Sequence, residues 1–400
     1  MVRNLHFFNY CILLFLSFYL VIDTITGYCL NNGLGVSLSI PYKMLLIFFM
    51  ALVTCSISSK YMIFYSFSIW FILISILFYI LNGYTKNIGG IVQDYIKLLS
   101  PIVFYNYFSN LDSKYDEQIS KIIYINFLVF LFNIFIGILG FGYHTYSYGI
   151  GIKGFFYAGN EIFLIIISIL VIYIRKTKEK DKLILITAGL ISTVLIGTKT
   201  AILAALLIII YDRYKYSSKA NRLKLFLYIF LVVVVIFYFL DILISNLEVI
   251  QNIIYNIKIG LNNADKKILD VFLSGRIGYL EKNIYEWSKT YSPLQLVFGG
   301  SNFYNSKANE LDFFDTVLQH GVILTGIIII FYMKLLFKAI RTNNYTIAFF
   351  NITILIVSQT AGHIWANLTG GLFFILANCY SFKFISIIQK RIHLFINYRR

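Results

Sequence analysis

Charge is scarce in this sequence: Asp, Glu, Lys and Arg make up 13% of its 400 residues, about half of the roughly 25% share in an ordinary soluble domain. With 59% of the residues hydrophobic, that shortage excludes a water-soluble globule. Cysteine is scarce too. Of the four, Cys11, Cys55 and Cys379 fall in or beside apolar segments and Cys29 stands alone in an expected loop, which leaves neither a disulfide framework nor a metal-ligand spacing. The motifs of soluble enzymes are missing: no glycine-rich loop followed by Lys-Ser/Thr, no His-Glu-x-x-His, no Gly-x-Ser-x-Gly. Asp312 and Asp315 stand three positions apart, where an Asp-x-Asp metal motif needs two. No metal and no cofactor are therefore expected, and a cytoplasmic nucleotide-sugar enzyme is argued against. There is no internal repeat. No small-residue cleavage site follows the first apolar segment, so a retained helix is expected there and not a signal peptide.

What remains is apolar, in blocks of about 15 to 25 residues, the length an α-helix needs to cross a bilayer core of about 30 Å. Lipid gives backbone groups no other partner, so helices are the default. Twelve spans are expected, at about 7–27, 42–58, 62–81, 93–109, 121–141, 157–174, 183–197, 200–212, 225–244, 313–336, 345–361 and 365–384. The expected fold is thus an all-α polytopic membrane protein, a single integral membrane domain over residues 1–400. Tyrosines at segment ends suit interfacial belts.

Net charge is +16, which in a soluble protein would raise nucleic acid as a partner. Here most of the 34 Lys and Arg residues fall on one side of the expected spans: Arg3, Lys60, Lys114, Lys121, the runs 175–182 and 213–224, the run 334–341, and the tail from Lys383. The positive-inside rule makes that side cytoplasmic, with both termini in it. Shifting the count by one span would put a basic run outside. No nucleic-acid partner is expected. Residues 245–312 become one long extracytoplasmic loop or cap. In it Ile277, Leu280, Ile284 and Trp287 recur at the spacing of an amphipathic helix, and Pro293 and Gly299-Gly300 mark turns.

A charge near the bilayer centre costs about 2.5 to 3.5 kcal/mol on insertion scales, so ionisable groups within or bordering spans are functional candidates. Lys153, Glu161, Lys199, Arg276, Glu310, Asp312, Asp315, His320 and His363 all fall on the extracytoplasmic half. Lys199, at a break marked by Gly197 and Thr198, is either a snorkelling lysine or a cation for phosphate. Arg276 is either a surface arginine or a guanidinium able to grip a diphosphate bidentately. Glu310, Asp312 and Asp315 stand at the start of a span, where acids favour the helix dipole. Three exceed what capping needs, so one is expected to act as a base or to hold sugar hydroxyls. His320 reads as a core residue or a substrate contact, and His363 lies at a glycine-containing break.

Four blocks then carry a likeness: GIKGFFYAGNE at 151–161, IGTKTA at 196–201, SGRIGYL with the FGG that follows it, and ELDFFDTVLQHGVILTG at 310–326, supported by AGH at 361–363. In order, spacing and expected placement they resemble the O-antigen polymerase and ligase superfamily, most of all its Wzy-type O-antigen and capsular polysaccharide polymerases. The likeness runs from Gly151 onward; the earlier spans match in hydropathy alone. Ligases of that superfamily carry a histidine eleven residues before a glycine. Counting back from Gly321, that position is Glu310 here, a departure that favours a polymerase.

The resemblance implies a metal-independent glycosyltransferase that joins undecaprenyl-diphosphate-linked oligosaccharide repeats on the outer face of the cytoplasmic membrane. Membrane lipids, a chain-length regulator and a flippase are the further partners it implies. Glu310 is expected as general base, with Asp312 or Asp315 as substitutes. Arg276, Lys199 and Lys153 are expected on the diphosphate, and Glu161, His320 and His363 elsewhere on the substrate. A ligase, or a lipid-linked-oligosaccharide flippase, stands as the alternative. A flippase should show repeats and charges spread along a central path.

Overall fold

The computed structural model describes residues 2–81, 88–145, 151–156, 159–176, 179–216, 276–290, 292–299, 309–360 and 362–380. In chain order these form α1 (Val2–Ser17), α2 (Tyr19–Asn31), α3 (Ser39–Ile57), α4 (Ser59–Leu81) and α5 (Ile88–Asn110). A 3-10 turn (Ser113–Tyr115) leads into α6 (Asp116–Ile138). A short antiparallel pair, β1 (Tyr143–His144) and β2 (Ile152–Gly154), precedes α7 (Gly159–Lys176), α8 (Glu179–Ile196) and α9 (Lys199–Tyr216). After them come α10 (Arg276–Thr290), α11 (Pro293–Phe298), α12 (Asp312–Arg341), α13 (Tyr345–Ser358) and α14 (Leu368–Tyr380).

Every expected span except 225–244, which lies outside the described residues, falls on a helix. Among the described residues four helices are long and apolar enough to cross a membrane: Ser39–Ile57, Ser59–Leu81, Ser113–Ile138 and Asp312–Arg341. The pair Leu5–Ser17 and Tyr19–Asn31, bent by 44°, makes a fifth if taken as one span. Shorter apolar helices cover Ile162–Ile174, Ile184–Ile196, Thr200–Asp212, Tyr345–Ser358 and Leu368–Tyr380, while α5, 23 residues long with Pro101 inside it, is the less apolar helix on the expected span 93–109. Their packing sorts into two kinds. Residues 162–174 of α7 are buried all round, as expected of a helix that is apolar on every face. On α4 the large residues Met62, Trp70, Leu73 and Leu77 are exposed, an outward apolar surface suited to lipid.

Two departures from plain helical spans lie in the first half of the chain. The first expected span is broken at Phe18, where ψ is 8°. Asn126 of α6 takes up the backbone groups freed there: its amide donates to Leu16 O at 3.0 Å and its Oδ1 accepts from Leu20 N at 3.0 Å. A break in an apolar setting needs such a partner. The second is the hairpin, a small sheet in a chain expected to be all-α.

Glycine lets the hairpin lie directly on helix ends. A Cβ on Gly27 would stand 1.6 Å from Phe155 O, and one on Gly151 would stand 2.3 Å from Ile196 O. Asn133 of α6 accepts from Phe155 N (3.2 Å) and donates to Thr24 Oγ1 (2.7 Å), joining hairpin, α6 and α2. Replacing Gly27 with alanine is therefore expected to cost about 1–3 kcal/mol by overpacking, read as a lower unfolding temperature of the purified protein. Gly326→Ala, with nothing within 4 Å of the added carbon, is the control and should leave stability unchanged or raised by up to about 1 kcal/mol.

Candidate functional site

Residues 309–311, just ahead of α12, are held by one aspartate. Asp315 accepts from Asn309 N (3.0 Å) and Asn309 Nδ2 (2.8 Å) on Oδ1, and from Leu311 N (3.2 Å) on Oδ2. Asn309 is fixed a second time by Asn283 of α10, whose amide donates to its Oδ1 at 2.7 Å. With both neighbours clamped, Glu310 is left in the left-handed region at φ 59°. That conformation costs a residue other than glycine about 1–2 kcal/mol and collects at functional sites.

Glu310 faces Arg276, the first residue of α10. The guanidinium donates from Nη2 to Glu310 Oε2 at 2.6 Å and from Nε to the same oxygen at 3.1 Å. Its Nη1 donates to the carbonyl of Thr360, just beyond α13. One ion pair thus joins three separated segments. The arginine side chain is 20% exposed and the glutamate 38%, so the pair sits at a rim and the carboxylate is its more open member.

Beneath the rim lies the turn that carries His363. Gly362 (φ 66°) and His363 (φ 56°) are both left-handed, and a Cβ on Gly362 would come within 2.5 Å of the Glu310 backbone. The turn then delivers Ile364 N and Trp365 N to Asp312 Oδ2, at 2.8 and 2.9 Å. Trp365 lies under Tyr332 of α12, with ring centroids 5.7 Å apart and planes at 25°. Asp312 and Asp315 are both buried and both hold backbone amides. Of the three expected acids only Glu310 reaches the open rim. His363 is exposed beside it.

The same segment continues into a charged group inside the bundle. Lys43 of α3, 4% exposed, pairs with Asp23 of α2, 11% exposed; its Nζ donates to Asp23 Oδ2 at 2.7 Å. Thr369 of α14 also accepts from Lys43, and donates to Asp23 at 3.2 Å. Ser39 Oγ donates to Asp23, and the Lys43 ammonium lies 4.8 Å from the Tyr19 ring centroid. Reading the sequence for charges at span borders missed this pair. The signal was present: opposite charges at Asp23 and Lys43, in consecutive apolar blocks joined by a short loop. Thr360 and Asn309, which support the rim, carry no charge and gave no such signal.

The remaining expected residues lie elsewhere. Lys153, buried in β2, has its ammonium 5.7 Å from the Tyr143 ring centroid. Gly151 of the hairpin packs against Ile196 O and lies close to Gly197, so the 151–161 and 196–201 blocks meet. Lys199 opens α9 and Glu161 lies in α7, but their side chains fall outside the described residues.

His320 is 2% exposed, edge-on to Tyr95 with ring centroids 4.4 Å apart. Neither ring nitrogen has a hydrogen-bond partner among the described residues. It precedes Gly321, where α12 is broken (φ 81°, ψ 169°). Gly299, at the end of α11, packs on this break. Beside it an apolar groove of about 540 Å³ runs between α4 and α12, lined by Phe67, Trp70, Phe71, Phe298 and Ile323 among others.

The expected amphipathic stripe of α10 is half-buried at Ile277, Leu280 and Trp287 and departs at Ile284. Asn283 is buried, through its bond to Asn309, while Ile284 is 42% exposed. A polar side chain with a buried partner takes the inward position that apolar spacing assigns to isoleucine.

No protein-family model matches the chain, and no curated protein matches it.

Proposed function

We propose that this protein is a polysaccharide polymerase of the cytoplasmic membrane, joining undecaprenyl-diphosphate-linked oligosaccharide repeats on the outer face, with both termini in the cytoplasm. The observation that carries this reading is the Arg276–Glu310 pair. A half-open carboxylate and a guanidinium, drawn from segments 34 residues apart, stand together at the rim of an apolar bundle. They supply the two functions that transfer from a lipid diphosphate needs.

Glu310 accepts the proton of an acceptor sugar hydroxyl as that oxygen bonds to the anomeric carbon of the donor chain. The bond from that carbon to the diphosphate breaks, and its electron pair leaves with undecaprenyl diphosphate. Arg276 stabilises the charge that builds on the leaving oxygen. Asp312 and Asp315 hold the turns that carry the pair. The groove between α4 and α12 suits a polyprenyl chain, since it is lined by aromatic and aliphatic side chains.

A second reading, a flippase for the same lipid-linked oligosaccharide, is favoured by one observation, the buried Asp23–Lys43 pair. Ionisable residues paired within a membrane bundle mark transport paths. The two readings separate in cells whose chromosomal copy carries Glu310→Gln or Arg276→Ala, with glycan length read on gels and protein level checked in membranes. Polymerase function predicts single repeats that persist while long chains vanish, a general base being worth about 10²–10⁴ in rate. Unchanged long chains in both variants would sink the site assignment. Loss of even single extracytoplasmic repeats would point to the flippase.

A further inference from the structure

The two groups given separate roles above are bound to each other, and the geometry of that bond sets a condition on both. An arginine grips a phosphate or diphosphate best through two parallel N–H groups on one edge of the guanidinium. In Arg276 the edge formed by Nε and Nη2 is occupied by Glu310 Oε2, at 3.1 and 2.6 Å. The third contact, from Nη1 to the Thr360 carbonyl, lies off that edge. It holds the arginine in place whatever occupies the other side. Glu310 Oε1 makes no hydrogen bond to any described residue, and the side chain is 38% exposed, so the carboxylate is the partner with room to leave.

Resting on the polymerase reading above, we infer that the Arg276–Glu310 pair is a latch which the phosphate of an incoming lipid-linked substrate opens. The anion takes the Nε/Nη2 edge and displaces the carboxylate, which is then free to accept a proton. The guanidinium stays on Thr360 throughout. Glu310 is thus unmasked as a base only while a phosphate group is bound. The ligand class is a mono- or diphosphate ester, and the latch couples arrival of the donor to readiness for the acceptor.

The test uses the full-length purified protein and inorganic pyrophosphate, with affinity read by calorimetry. Glu310→Gln removes the competing anion, and a partly exposed pair of about 1 kcal/mol corresponds to roughly fivefold tighter binding. Arg276→Gln is expected to lose binding. Glu281→Gln removes the same charge from α10 at a residue that Arg276 does not touch, and is expected to stay within about twofold of the wild type. Equal affinities for the wild type and Glu310→Gln would overturn the latch and leave the polymerase reading standing. Equal gains in Glu310→Gln and Glu281→Gln would reduce the effect to overall charge and overturn it too.

Absence of pyrophosphate binding in every form would remove the diphosphate site itself, and the latch with it. The wild type supplies a measurement that needs no variant: carbodiimide labelling of the Glu310 carboxylate, read by mass spectrometry. Labelling should rise when pyrophosphate is added, as the carboxylate is released. A fall, or no change at saturating pyrophosphate, would overturn the latch.

Discussion

Lys43→Met is expected to lower the stability of the purified protein by about 3–5 kcal/mol, because it leaves Asp23 charged and without its cation inside the bundle. The loss follows from burial: the two side chains are 4% and 11% exposed. Thr369 and Ser39 supply hydroxyls to the carboxylate but no charge. Replacing both partners, Asp23→Leu with Lys43→Met, should recover most of the loss, since a buried ion pair exchanged for apolar side chains is often neutral. Thermal unfolding of the two single variants and the double one completes the cycle. A double variant no more stable than either single would show that neither charge depends on the other.

The same variants bear on function. If the pair lies on a transport path, the double variant should regain stability and still fail to deliver single repeats to the outer face. If it is a strut, delivery returns with stability. Thr369 is four residues beyond Trp365, whose backbone is held by Asp312. The strut reading therefore predicts that loosening Lys43 also blunts elongation.

Asp312→Ala should cost about 2–4 kcal/mol, for it strips the acceptor from two buried backbone N–H groups at once. Those groups belong to Ile364 and Trp365, which close the turn under the Arg276–Glu310 pair. Asp312→Asn keeps an acceptor oxygen and should cost about 1 kcal/mol. Elongation in these variants is expected to fall in step with stability, measured by glycan length against unfolding temperature. Glu310→Gln should instead lose elongation at nearly unchanged stability. A fully stable Asp312→Asn protein that forms no long chains would move the role of base from Glu310 to Asp312.

The helices were legible in the sequence because apolar length alone specifies them: all the expected segments that the structure describes are helical. Block order was legible in part. The blocks around Arg276, Glu310 and His363 do meet, and so do those around Gly151 and Gly197. Hidden from it was the division of labour among the three acids. Composition gives Glu310, Asp312 and Asp315 equal standing, and their partners distinguish them: backbone N–H groups from 309, 311, 364 and 365 for the two aspartates, the Arg276 guanidinium for Glu310. The hairpin was hidden too, since strands of two and three residues carry no period. Its trace is the positive-φ glycines Gly142, Gly151 and Gly154. The Phe18 break escaped because the residue that permits it, Asn126, lies more than a hundred positions away.

The break at Gly321 divides α12 into two pieces with different tasks. Residues 322–341 amount to roughly the 20 residues that a span requires. Residues 312–320, which carry Asp312, Asp315 and His320, are not needed for the crossing. A translocon can therefore insert the span without charging the cost of those ionisable groups to it. On the polymerase reading, the preceding stretch is free to change with the acceptor sugar, as an address label can be rewritten while the envelope stays the same.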